Sequence, residues 1–270
     1  MHRAKKNGKT IGLVPTMGAL HEGHLSLIKR SLSENDQTVV SIFVNPTQFG
    51  QNEDYNKYPR QIEKDRALLQ KKGVDIVFEP TNDTIYFEEP DSGTIIYEPT
   101  MSQKLCGVTR PEHFKGVTSI VLRLFNLVQP NKAYFGEKDY QQLVIIKKMV
   151  RDLFLDIEIV PCPIEREPNG LALSLRNVYL SATEKSAAAV IYQSLQLVKT
   201  MFTEGETDSN VLIDNACSFL LNKSRIKIDY FKIVDNNNLE DVLHVHSNCR
   251  IIFAGFLGKT RLIDNAPITK

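Results

Sequence analysis

Apolar positions in the first part of the chain fall into two textures, short continuous runs and helically spaced sets. TIGLVP at 10–15, TVVSIFV at 38–44 and VDIVF at 74–78 are apolar, β-branched runs of strand length. Between the first two, Leu25, Ile28 and Leu32 share one helical face from Gly23 onward. Residues 59–72 read as a helix, with Pro59 tolerated in its first turn and Gly73 at its stop. Strand, helix, strand, helix, strand at this spacing predicts right-handed βαβ units and a parallel sheet. Residues 79–109 are irregular, with a short hairpin expected around 94–97. Val117, Ile120, Val121, Leu124 and Val128 then mark an apolar helix face. A strand at 132–135, a helix carrying Tyr140, Leu143, Val144, Lys147 and Val150, and a strand at 157–163 close the series.

Beyond Ile164 the texture changes. Ser181 and Glu184 form a capping-box pattern opening a helix to about Phe202, and a second helix covers 208–221. Strands are expected at 228–234, 250–256 and 261–264. Helices followed by strands predict a smaller α+β domain, so the expected division is 1–164 and 165–270. The length of 270 residues suits a larger and a smaller domain, and 42% hydrophobic with 24% charged residues excludes a disordered or fibrous chain.

Thirty-three basic against thirty-two acidic residues leave a net charge of +1, so no broad basic face is expected to hold nucleic acid. A local cationic pocket is compatible with that balance. The four cysteines, Cys106, Cys162, Cys217 and Cys249, are widely spaced and read as reduced thiols of an intracellular protein. No apolar run reaches the roughly 18–20 residues of a membrane span. The basic start lacks the apolar stretch of a secretory signal. A soluble, cytoplasmic protein without a membrane partner is expected.

Two motifs mislead. His21-Glu22-Gly23-His24 resembles the zinc-protease signature, but Leu25 holds the place the second histidine requires. The GKT at 258–260 has too short a spacing from Gly255 to close a phosphate loop. What remains is position. VPTMGALHEGHL runs from the end of the first strand into the first turn of the first helix, the edge where open α/β sheets bind ligands. Helix N-terminal N–H groups favour anions there, Gly18 and Gly23 leave room for a ligand, and His21 and His24 can donate to phosphate oxygens. An ordinary surface turn with two solvated histidines explains an isolated H-x-G-H equally well.

GEKDYQQ at 136–142 sits at the same kind of junction. Lys138 there suits a phosphate and Asp139 a ribose hydroxyl; a charged turn on a solvated helix is the alternative. LALSLRN at 171–177 offers a hydroxyl and an arginine fork, and in isolation reads more simply as a linker. The amides of Asn45 and Gln48 end the second strand and suit a small polar substrate, or merely a turn. RPEHFKG at 110–116 adds cations before a helix.

Together these segments resemble the pantothenate synthetase (pantoate–β-alanine ligase) family. VPTMGALHEGH, SIFVNPTQFG, YPR at 58–60, RPEHFKGV, LFNLVQP, FGEKDYQQL, LALS–RN and RLIDN at 261–265 occur in the family's order and span almost the whole chain. The resemblance implies a Rossmann-like parallel-sheet, nucleotidyltransferase-type N-terminal domain, a smaller α+β C-terminal lid domain and a homodimer. It implies condensation of pantoate and β-alanine with ATP and Mg²⁺, through a pantoyl adenylate. Carried over, His21, His24, Lys138 and Arg176 are catalytic. Pro15, Met17, Gly136, Asp139, Leu173 and Ser174 join them around ATP. Gln48 and Gln142 grip pantoate beside Met17, Asn45 and Tyr58, while Arg110 and His113 stand at a dimer or substrate edge.

Two departures stand out. Leu175 replaces the second serine of the family's Ser-Ser-Arg-Asn, and the chain begins about ten residues before the first strand, where family members carry roughly one more helix. A nucleotidyltransferase that leaves the nucleotide on its product, and a catalytically weakened nucleotide-binding protein, remain the alternatives.

Overall fold

The computed structural model describes residues 7–50, 53–87 and 93–269, so the expectations about the start of the chain lie largely outside the described residues. The chain divides into two compact units, Met1–Glu137 with Gln141–Pro163 and Lys138–Tyr140 with Ile164–Lys270.

The first unit is built on five parallel strands: β1 (Ile11–Thr16), β2 (Gln37–Ile42), β3 (Ile76–Phe78), β4 (Lys132–Gly136) and β5 (Glu158–Cys162), in the order β3-β2-β1-β4-β5. Ile11, Leu13 and Val14 of the central strand are fully buried, as expected of a strand covered on both faces. The longer helices are α1 (Glu22–Glu34), α2 (Ile62–Lys71), α3 (His113–Val128) and α4 (Tyr140–Asp152). Val14, Leu20, Leu25, Ile28, Val40, Leu69 and Tyr134 belong to one buried cluster. Gly12 fixes how closely α1 lies on β1, because a Cβ there would stand 2.2 Å from Ser31 Oγ.

Among the described residues, 94–97 form no strand of the expected hairpin. Arg123 of α3 donates to the Thr94 carbonyl, and the Ile96 N–H donates to Ser119 Oγ, so side chains of α3 supply the partners a second strand would have offered. All four cysteines are free thiols.

The second unit packs α5 (Ala182–Thr203) and α6 (Ser209–Lys223) with an antiparallel sheet of β6 (Lys227–Asp235), β7 (Cys249–Leu257) and β8 (Thr260–Pro267). Ser181 and Glu184 form the expected capping box on α5. Leu195, Val198, Leu212, Ala216, Leu220, Ile251 and Phe253 make its core. Gly258 and Lys259, from the apparent phosphate-loop motif, form the tight turn joining β7 to β8.

Candidate active site

The strands diverge where the chain leaves β1. β1 pairs with β2 along its whole length, but with β4 only at Gly12–Lys132 and Leu13–Ala133. Pro15 has no N–H to offer a ladder and lies in the part without a β4 partner. This β1/β4 split is the switch point of the sheet, where ligands of open α/β folds bind.

Thr16 turns the chain. Its Oγ1 donates to the Ser41 carbonyl at 2.8 Å and accepts from the Gly18 N–H at 3.2 Å. Gly18 (φ 80°) and Ala19 (φ 51°) then adopt the left-handed region, which costs Ala19 more than a glycine. Asp65 of α2, 1% exposed, receives the Ala19 N–H at 2.7 Å and the Leu20 N–H at 2.9 Å, and so holds the turn.

His21 follows in extended backbone and N-caps α1. Its Nδ1 accepts from the Gly23 N–H at 3.1 Å, and His24 Nδ1 accepts from the His21 N–H at 3.4 Å. Two imidazoles thus take the capping-box roles usually held by Ser or Thr and Glu or Gln. With Nδ1 accepting, the proton of each neutral ring resides on Nε2, which becomes a donor. The ring centroids lie 4.2 Å apart, so both donors belong to one small area at the positive end of α1. Gly23 is required because a Cβ would approach His21 Cε1 to 2.8 Å.

Gln48 lies beside Met17, donating from Nε2 to its Sδ at 2.7 Å. Asn45, 1% exposed, donates to Gln48 Oε1 and the Gly116 carbonyl, and its Oδ1 accepts from Thr47 and Tyr86. Its amide is therefore engaged in shaping the loop. The Gln48 carbonyl faces His113 Nδ1 at 2.8 Å and Arg110 at 3.4 Å. Arg110 also forks onto Glu53. Burial pushes the Glu53 carboxyl up, but Arg110, His113 and a backbone hydrogen bond at Gly50 outweigh it and leave it below the ordinary glutamate value. Tyr58 stands edge-on to Phe49, one residue past Gln48. Gln142 is half-buried on α4, whereas neighbouring Gln141 is buried and bonded to Met101, Lys104 and Cys106.

Gly116 lets α3 touch this loop, since a Cβ would fall 2.4 Å from Thr47 O and 2.6 Å from Gln48 N. Overpacking of this kind costs about 1–3 kcal/mol. Gly116→Ala is expected to displace the loop carrying Gln48 and to lower the melting temperature by roughly 2–10 °C. Thermal denaturation checks this; a parental melting temperature would show that α3 yields instead.

The second unit carries the other candidates. Lys138 and Asp139 lie in one turn of 3₁₀ helix, their charged atoms 4.0 Å apart. Ser174 caps the 3₁₀ helix Leu175–Tyr179 through the Arg176 N–H at 3.3 Å, and the Leu173 N–H is held by the Glu165 carbonyl. Asn177 is structural, donating to Glu167 and the Ala172 carbonyl. Among the described residues no group of three His, Cys, Asp or Glu side chains is placed to hold a metal ion.

Sequence reasoning missed Asp65. The available signal was an acid sharing the helical face of Ile62 and Leu69, where a buried side chain belongs.

A parallel sheet split at its switch point, with donors gathered on a helix N-terminus beside the split, defines a Rossmann-like α/β protein equipped to bind a nucleotide. The pantoate-beta-alanine ligase family model matches residues 1–267. Pantothenate synthetase from Thermotoga neapolitana is 51% identical over 263 residues, covering 97% of this chain and 92% of that protein. A crystal structure of the enzyme from Thermus thermophilus superposes with a TM-score of 0.92 at 43% identity, over 97% of this chain and 94% of that one. The Francisella tularensis ligase, solved with β,γ-ATP and β-alanine, gives 0.77 at 38% identity, over 96% and 90%. The chain belongs to the pantoate–β-alanine ligase family, and its activity is that of an ATP-dependent ligase.

Proposed function

We propose that the chain condenses pantoate with β-alanine using ATP, giving pantothenate, AMP and pyrophosphate. A pantoate carboxylate oxygen attacks the α-phosphorus of ATP, the bond to the bridging oxygen breaks, and pyrophosphate leaves. The β-alanine amine then attacks the acyl carbon of the pantoyl adenylate, AMP departs, and the nitrogen loses a proton. The carboxylate is already a nucleophile, so alignment and charge stabilisation are the main demands on the protein. The observation that carries this reading is the His21–His24 capping box, which brings two imidazole rings together, centroids 4.2 Å apart, at the N-terminus of α1 beside the strand split.

In this reading the histidines stabilise charge on the departing pyrophosphate. Pro15, Met17, Gly136, Lys138, Asp139, Leu173, Ser174 and Arg176 contact ATP in this reading, and we take the second unit as the lid domain. Gln48 and Gln142 grip pantoate, Tyr58 borders it, and Asn45 acts by shaping the Gln48 loop. Mg²⁺ enters as part of the Mg–ATP substrate. The enzyme works as a cytoplasmic homodimer without a nucleic acid or membrane partner. The net charge of +1 supports the lack of a nucleic acid partner, and no described helix is long and apolar enough to cross a membrane.

Pantoate-dependent exchange of pyrophosphate into ATP tests the first half-reaction, and AMP release that requires β-alanine tests the second. Folded protein that shows no exchange would exclude the ligase reading.

Leu175 opens the turn that Ser174 caps, where the family pattern has a hydroxyl. One hydrogen bond to a charged group contributes about 1.5–3 kcal/mol. Leu175→Ser is therefore expected to lower KM for ATP, or raise kcat, by about tenfold in the same exchange assay. Unchanged kinetics would mean that another donor already serves that oxygen.

A further inference from the structure

Lys138 lies two residues past the end of β4, yet Lys138–Tyr140 groups with the second unit. Side chains of its antiparallel sheet explain why. Asn265 of β8 donates from Nδ2 to the Lys138 carbonyl at 3.0 Å. The same Asn265 accepts at Oδ1 from Arg250 of β7 at 2.5 Å, and the Arg250 guanidinium lies 3.7 Å from the centre of the Tyr140 ring. Asn236 completes the clasp, accepting from both the Tyr140 hydroxyl at 2.9 Å and Arg250 Nε at 3.3 Å. Arg250 and Asn265 are 5% and 2% exposed, so these bonds form away from competing water.

The preceding residue of β8 holds the other half of the anion-facing set. Asp264, 3% exposed, receives both arms of Arg166 at 2.6 and 2.9 Å. Arg166 bridges Ala172 and donates to the Gly170 carbonyl, which fixes the segment leading into Ser174 and Arg176. Neighbouring residues of a strand point to opposite faces. A single dipeptide therefore reaches Lys138 on one side and the base of the Ser174–Arg176 segment on the other.

We propose that Asp264 and Asn265 are positioning residues that hold Lys138 and Arg176 in one fixed frame for the phosphates of ATP. This rests on the reading of Lys138 as a phosphate contact. The decisive variant is Asn265→Asp, whose carboxylate still accepts from Arg250 but no longer donates to the Lys138 carbonyl. A misplacement of about 1 Å in a catalytic group costs up to roughly 100-fold. The expected result is a 10- to 100-fold fall in kcat for pantoate-dependent ATP–pyrophosphate exchange, with KM for pantoate unchanged and the melting temperature close to that of the parent.

Lys138→Ala and the double variant Lys138→Ala/Asn265→Asp complete the cycle. If Asn265 acts through Lys138, the double variant exchanges no more slowly than Lys138→Ala alone. Independent, multiplying losses would overturn the proposal, as would a parent-like Asn265→Asp enzyme beside an impaired Lys138→Ala. Full activity in Lys138→Ala overturns it through the reading on which it rests.

Discussion

His21→Asn is expected to fold at least as well as the parent and to exchange pyrophosphate about 10²–10³-fold more slowly. One ring carries two separable tasks. Its Nδ1 caps α1 through the Gly23 N–H, while in the proposed reading its Nε2 donates to the departing pyrophosphate. Asparagine is among the best N-cap residues and its side-chain oxygen can take the Nδ1 role, but it is too short to supply the distal N–H. Helix and fold are thereby retained while the donor is lost. Removing one preorganised donor aimed at developing negative charge typically costs about 2.7–4 kcal/mol of transition-state stabilisation. Because that charge grows as pyrophosphate leaves, the loss belongs in kcat for exchange, with KM for pantoate little changed. His24→Ala is expected to show a loss of the same size. Circular dichroism and melting temperature establish the fold, and exchange kinetics the chemistry. A His21→Asn variant as fast as the parent would reduce the histidine pair to a structural cap.

Much of the frame is visible in the chain because strands buried on both faces must be apolar throughout, as TIGLVP and TVVSIFV are. The Ser181 cap is likewise a local signal, carried by two residues of one turn. The candidate residues visible in advance are those whose chemistry sits on a βα junction, His21, His24 and Lys138 among them. What escapes is long-range bonding to a single polar atom. Residues 94–97 carry strand-like residues, yet their backbone partners are Ser119 and Arg123 of a helix. Lys138 stands in an ordinary strand-to-helix turn, and nothing nearby announces a bond to Asn265, 127 residues away. Asn45 shows its amide in sequence, but not that Thr47, Gln48, Gly116 and Tyr86 already engage it.

Asp65 is the strongest case of such hidden work, and its removal is expected to damage stability and catalysis together. Aspartate early in a helix ordinarily interacts with the helix's own positive end, so Asp65 of α2 looks self-explanatory in sequence. Its carboxylate instead takes the N–H groups of Ala19 and Leu20, some 45 residues earlier. Those bonds hold Ala19 in the left-handed region immediately before the histidine cap. Asp65→Ala leaves two backbone donors without their acceptor and removes what constrains Ala19. Hydrogen bonds to a charged group contribute about 1.5–3 kcal/mol each, and relaxation of the turn recovers part of that. A net loss of about 2–4 kcal/mol follows, which for a chain of this size lowers the melting temperature by roughly 5–15 °C. At a temperature where the variant is still folded, the released turn no longer fixes His21, and kcat for exchange is expected to fall at least tenfold. Asp65→Asn separates the contributions. It keeps one carbonyl oxygen for one N–H and turns an NH₂ toward the other, so its stability and rate should fall between the parent and Asp65→Ala. An Asp65→Ala enzyme with parental melting temperature and kcat would show that the turn before His21 is held by Thr16 and Gly18 alone.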